Sequence, residues 1–94
     1  MIKDQDEVVR YFGRESQLTI AMEECAELIQ AISKLKRHEH EPIYLLAGLV
    51  RHLIEEIADV QICIEQLKFM FNIDDDQIER MINEKVERTK KLMR

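Results

Sequence analysis

The chain has 94 residues, a net charge of -5, 46% hydrophobic and 35% charged residues, and only two Gly and one Pro. That length makes one domain, over residues 1–94, with a modest core, and the balance excludes a disordered chain. The acidic charge argues against nucleic-acid binding, which needs a basic surface, and no apolar run approaches the ~20 residues that cross a membrane.

The first helix is expected over 3–12, carrying Val8, Val9, Tyr11 and Phe12, with Gly13 as its stop. A second helix runs over 16–37. The stretch His38-Glu39-His40-Glu41-Pro42 reads as a loop, with Pro42 suited to the first turn of the next helix. That third helix reaches from Pro42 or Leu46 to Phe71, with Gly48 marking an irregularity near its start. Asn72-Ile73-Asp74 is a second break, and Asp74 caps a fourth helix running to Leu92. Nothing alternates as a strand would. The expected fold is all-α, a four-helix bundle built on an antiparallel central helix pair.

Apolar residues of the second helix fall at Leu18, Ala21, Cys25, Leu28, Ile32 and Leu35. Those of the third fall at Val50, Leu53, Ile57, Val60, Ile64 and Leu67. Alternating steps of three and four mark the seam of a packed pair. The two series superimpose after a shift of about 32 positions, which carries Glu24 onto Glu56 and Glu27 onto Asp59. The short connection favours antiparallel packing, and a two-fold relation then puts all four acids on one side of the pair. At about 100° per residue, Glu24 lies roughly 100° from Cys25 and Glu27 roughly 160°, on the same flank. Ile20, Ala31 and Cys63 share that side, so it is partly apolar and needs a cover. The fourth helix is the expected cover, with its stripe of Ile78, Met81, Ile82, Val86, Thr89 and Leu92. Lys85 lies within that stripe and Arg88 at its edge, both aimed at the acids.

One pair of acids a turn apart is usually a solvated face. Two pairs at matched offsets from matched seams make sense as a convergence on a divalent cation, because four carboxylates are too costly to bury as packing elements. An oxygen-only donor set suits Mg2+ or Mn2+. A hard cation among carboxylates points to metal-assisted hydrolysis of a phosphoanhydride, with a spare carboxylate to orient or deprotonate the attacking water. Lys85 and Arg88 either neutralise charge on the leaving phosphates or snorkel at the surface. Glu23 and Glu55 lie further round. Glu23 is either exposed or holds a supporting, water-activating role. Cys25 and Cys63 are expected as buried free thiols in a reducing cytoplasm. His38 and His40 read as loop residues, His52 as peripheral to the acids. Phe69, Phe71, Met70, Met81 and Met93 read as core or subunit contacts.

The motifs Glu23-Glu24-Cys25-Ala26-Glu27, Glu56-Ile57-Ala58-Asp59 and Asn83-Glu84-Lys85-Val86-Glu87-Arg88 resemble those of the all-α nucleoside-triphosphate pyrophosphohydrolase superfamily, in its MazG-like branch. The resemblance spans about residues 16–90. It implies Glu24, Glu27, Glu56 and Asp59 as Mg2+ ligands, with Glu23, Glu24 and Glu56 as the catalytic carboxylates. It implies Lys85, Arg88 and Asn83 as phosphate contacts. The implied reaction cleaves a nucleoside triphosphate between the α- and β-phosphates, giving a monophosphate and pyrophosphate, in nucleotide-pool housecleaning. It also implies a homodimer or homotetramer with sites near subunit contacts. Thr89 follows Arg88, where longer MazG-like domains carry a second basic residue and an aromatic-containing tail. The base pocket is therefore different, incomplete or completed by another subunit.

Two other readings are open. One is a non-catalytic helical interaction module with a vestigial or regulatory metal site. The other is a di-iron bundle, which wants His three residues after Glu; those positions hold Glu27 and Asp59.

Overall fold

The computed structural model describes residues 2–93, so positions 1 and 94, the outer limits of the expected domain, lie outside the described residues. The chain is all-helical: α1 (Gln5–Phe12), α2 (Arg14–His38), α3 (Ile43–Met70) and α4 (Asp75–Leu92). Gly13 ends α1 at φ 96°, a backbone conformation that favours glycine, and its N–H donates to the Val9 carbonyl at 2.8 Å. Pro42 stands just ahead of α3 at φ -55°. α3 continues through Gly48 without the expected irregularity. One glycine costs a helix about 1 kcal/mol, too little to interrupt a helix packed along α2. No helix among the described residues is long and apolar enough to cross a membrane.

α2 and α3 make the principal contact, and α1 packs on both. The inward line of α2 is Gln17, Ala21, Glu24, Leu28, Ala31 and Leu35. That of α3 is Leu49, Leu53, Glu56, Val60, Cys63, Leu67 and Met70. Each of these side chains is buried or half-buried. The expected seam is thus rotated toward the acids. Cys25, Ile32, Val50, Ile57 and Ile64 are exposed, and Glu24 and Glu56 sit inside the contact instead of on its flank. The reason is that each helix carries an apolar arc wider than one seam uses. Packing selects the edge where Ala21 and Ala31 permit close approach and where Gln17 meets Gln66.

That meeting is a hydrogen-bonded chain. Gln17 Nε2 donates to Gln66 Oε1 at 2.9 Å, and Gln66 Nε2 donates to Gln5 Oε1 at 2.8 Å. Three helices are fastened by two hydrogen bonds between side-chain amides, one buried and one part-buried. Arg14 reinforces the same end by donating to the Met70 carbonyl at 2.8 Å. The guanidinium groups of Arg10 and Arg14 lie over the rings of Phe69 and Phe71 at 5.2 and 4.4 Å, a favourable cation–π placement.

The α3–α4 corner is tightly built. Asn72 adopts φ 54°, and the Ile73 N–H donates to the Lys68 carbonyl at 2.9 Å, the closing bond of a Schellman motif. Asp74 Oδ1 accepts from the Gln77 N–H at 2.8 Å while Gln77 Oε1 accepts from the Asp74 N–H at 3.0 Å, a capping box. Lys68 bridges Glu65 and Asp75 across the corner. Beyond it α4 stands off: none of its residues is buried and, among the described residues, it packs on no other helix. The expectation that the fourth helix covers the acids within one chain is therefore corrected. The capped corner sets its direction, and the radius of gyration is 16.6 Å against about 12 Å for a compact chain of this length.

Replacing Gln66 by Leu should lower stability by about 2 kcal/mol, because the buried amide of Gln17 and the half-buried amide of Gln5 lose their partner. The double change Gln17→Leu/Gln66→Leu should recover most of that loss. Urea unfolding midpoints at constant slope check both.

Candidate metal centre

α2 presents Glu24 and Glu27 one turn apart, and α3 presents Glu56 and Asp59 in the same way. The carboxylate oxygens of Glu24, Glu27 and Glu56 come within 4.8 Å of one another. Asp59 closes the group, lying against Glu24 and near Glu56. Glu56 is only 6% exposed. One oxygen of Glu24 and one of Glu56 are buried with no hydrogen-bond partner.

This crowding leaves its mark on the acids. Burial, then the charges of Asp59, Glu27 and Glu56, push the Glu24 carboxyl up to about 6. Burial and the neighbouring Glu27 raise Glu56, while His52, at 3.9 Å, works in the opposite direction. The Cys63 thiol beside them is raised by burial first and by Glu24 next. Such a cluster is relieved by protons at low pH or by a cation at neutral pH. The two orphaned oxygens and an all-oxygen donor set fit a hard divalent cation.

Of the residues singled out by sequence, Glu24, Glu27, Glu56 and Asp59 come together. Glu23 is exposed on the same flank, one turn from Glu27, and stands outside the cluster. Asn83, Lys85 and Arg88 are exposed on α4, away from the acids. Lys85 and Arg88 share a face of that helix, but Asn83 lies about 160° round from Lys85. Cys25 is exposed, correcting its expected burial, whereas Cys63 is buried. His38 accepts a role in the α2–α3 turn, 2.7 Å from Glu41. The Gln5–Gln66–Gln17 chain was not anticipated. Its sequence signal is a polar residue continuing each inward line by one turn, Gln17 before Ala21 and Gln66 after Cys63.

Comparison with protein-family models, with curated proteins and with solved structures finds no match to this chain.

The raised carboxyls determine how stability responds to pH. A folded-state value above the unfolded one means that the native chain binds more protons between about 4.5 and about 6. The metal-free protein should therefore lose stability as pH rises through that window, and should gain none of it back above. Added Mg2+ should raise the melting temperature at pH 7.5 and have little effect at pH 4.5. Glu56→Gln should flatten the pH response and remove the Mg2+ response. Thermal melts in chelator and in Mg2+ check all three.

Proposed function

We propose that this chain is a Mg2+-dependent nucleotide pyrophosphohydrolase of the MazG-like kind. It hydrolyses a nucleoside triphosphate between the α- and β-phosphates to a monophosphate and pyrophosphate. The observation that carries this reading is the crowding of Glu24, Glu27 and Glu56 within 4.8 Å of one another where two helices meet, with one buried oxygen each of Glu24 and Glu56 left without a partner. Their residue types and spacing match the acidic motifs of the resemblance, which also supplies the housecleaning role. Mg2+ or Mn2+ held by Glu24, Glu27, Glu56 and Asp59 would supply charge neutralisation and Lewis acidity to a phosphoryl oxygen. Glu23, solvent-accessible one turn from Glu27, is the candidate to take a proton from the attacking water. Lys85 and Arg88, sharing one face of α4, are the candidates to hold the phosphates. The two free thiols accord with a reducing cytoplasm.

Two finer points belong to the same proposal. Arg14 meets Met70, Gln17 meets Gln66 and Glu27 meets Glu56. These pairs fall in opposite order along α2 and α3, which supports an antiparallel pair. Opposite the acids, α2 exposes Met22, Ile29 and Ile32 while α3 exposes Val50, Ile54 and Ile57. Met22, Ile29 and Ile54 are 74%, 67% and 61% exposed. A contiguous apolar face of this kind supports a homodimer or homotetramer in which it is covered.

That same face, with the projecting α4, favours the second reading, a helical interaction module without turnover. The two are separated by incubating the protein with Mg2+ and a panel of NTPs and dNTPs and resolving the products. Monophosphate plus pyrophosphate is expected, and Glu56→Gln should lower the rate at least about 10²-fold while keeping the helical circular-dichroism spectrum. Diphosphate plus orthophosphate, or no turnover of any nucleotide, would count against the proposal. Separately, Ile29→Glu with Ile54→Glu should shift the assembly toward monomer in size-exclusion chromatography with light scattering.

A further inference from the structure

We infer that the α2–α3 seam carries a mixed sulfur–oxygen metal site: Cys63, with Glu24 and Asp59, takes a thiophilic divalent cation, Zn2+ or Cd2+, and this ion competes with Mg2+ for the acids. The competition rests on the Mg2+ centre of the pyrophosphohydrolase reading; the binding of the soft ion does not.

Cys63 is 4% exposed and lies on the inward line of α3, one turn beyond Asp59. Three pairings fix what this stretch of α3 faces on α2: Gln17 with Gln66, Glu24 with Asp59 and Glu27 with Glu56. Cys63 falls between Asp59 and Gln66, so it meets α2 between Gln17 and Glu24. The residue of the inward line there is Ala21, buried and too small to separate the thiol from Glu24. The thiol registers that neighbourhood, being raised by burial first, by Glu24 next, and also by Asp59.

A buried cysteine by itself is an inert apolar filler. This one adjoins acids that lack a cation. Glu56, 6% exposed, and Glu24 each keep a buried oxygen without a hydrogen-bond partner, and such groups call for an ion. The donor set decides which ion. Carboxylates alone suit Mg2+, whereas a thiolate among them selects a softer metal. Zinc accepts thiolate and carboxylate together, and three protein ligands with one water satisfy it. As the metal–sulfur bond forms, the S–H bond breaks and its proton leaves to solvent; nothing is oxidised or reduced. Glu24 and Asp59 belong to both donor sets, so one ion excludes the other. Two side chains serve as controls. Cys25, the second thiol, is exposed and off the inward line. His52, a borderline donor 3.9 Å from Glu56, stands at the other end of the acids.

The test titrates the reduced, metal-free full chain with Cd2+, whose thiolate complexes absorb in the ultraviolet by sulfur-to-metal charge transfer. The wild type should develop this band and saturate at one Cd2+ per chain. Cys63→Ser and Cys63→Ala should abolish the band. In calorimetry they should weaken Cd2+ binding at least about 10-fold, the loss that follows removal of even a supporting group around a metal. Cys25→Ser, a change at an exposed position, should keep the band, and it decides between the two thiols even if the Cys63 variants fold poorly. No band in the wild type overturns the inference, as does a band that is lost with Cys25 and kept without Cys63. Cd2+ bound without a band also overturns it, by assigning the ion to His52 and the carboxylates. Mg2+ should raise the Cd2+ concentration needed to develop the band. A Cys63-dependent band that Mg2+ leaves unmoved would uphold the sulfur site and count against the shared Mg2+ centre, and with it the pyrophosphohydrolase reading.

Discussion

The burial of carboxylates in the line where α2 and α3 meet is the constraint on which the rest of the molecule turns. Glu24 and Glu56 occupy positions that an ordinary helix pair gives to Leu or Ile. Each buried acid raises the folding free energy unless it is protonated, paired or bound to a cation. Further along the same contact, Gln17 and Gln66 are also buried and hydrogen-bonded to each other, with only Gln17 Oε1 left unpaired, and a neutral amide costs far less to bury than a lone carboxylate. Among the described residues no large side chain is fully buried. A lone copy therefore has a thin apolar core and an expensive polar one.

The same constraint gives the site its chemistry. Carboxylates held close by two packed helices cannot swing apart to relieve their repulsion. The orphaned oxygens of Glu24 and Glu56 are thus held in place without a partner. Preorganised charge of this kind costs nothing further at the moment of binding and favours a small hard cation over a diffuse cloud of counterions. The rotation of the seam toward the acids matters here, because it moves Glu24 and Glu56 from a solvated flank into a low-dielectric setting.

Rotation has a second consequence on the other side of the pair. The apolar residues displaced from the seam, among them Ile32, Val50 and Ile57, are left exposed, next to Met22, Ile29 and Ile54. With α4 projecting on a capped corner, the chain displays two uncovered apolar surfaces and one uncovered charged one. In the proposed assembly a neighbouring copy would cover them, and the small core, the exposed face and the isolated α4 would then be aspects of one architecture.

Much of this was written in local sequence. The helices, the Gly13 stop, the Asp74 cap and the pairing of two acidic motifs follow from spacing, capping chemistry and the 3.6-residue period, all short-range properties. The gathering of Glu24, Glu27, Glu56 and Asp59 was legible too, because matched offsets on two helices joined by a short turn leave few ways to arrange them. Tertiary structure alone decided which edge of each broad apolar arc became the seam, since periodicity gives the centre of an arc and not its partner. It alone joined Gln5, Gln66 and Gln17, which are far apart in the chain, and it alone sent α4 outward. An apolar stripe announces that a helix will be covered; what covers it depends on the direction of the corner before it, a property of backbone geometry that hydropathy does not encode.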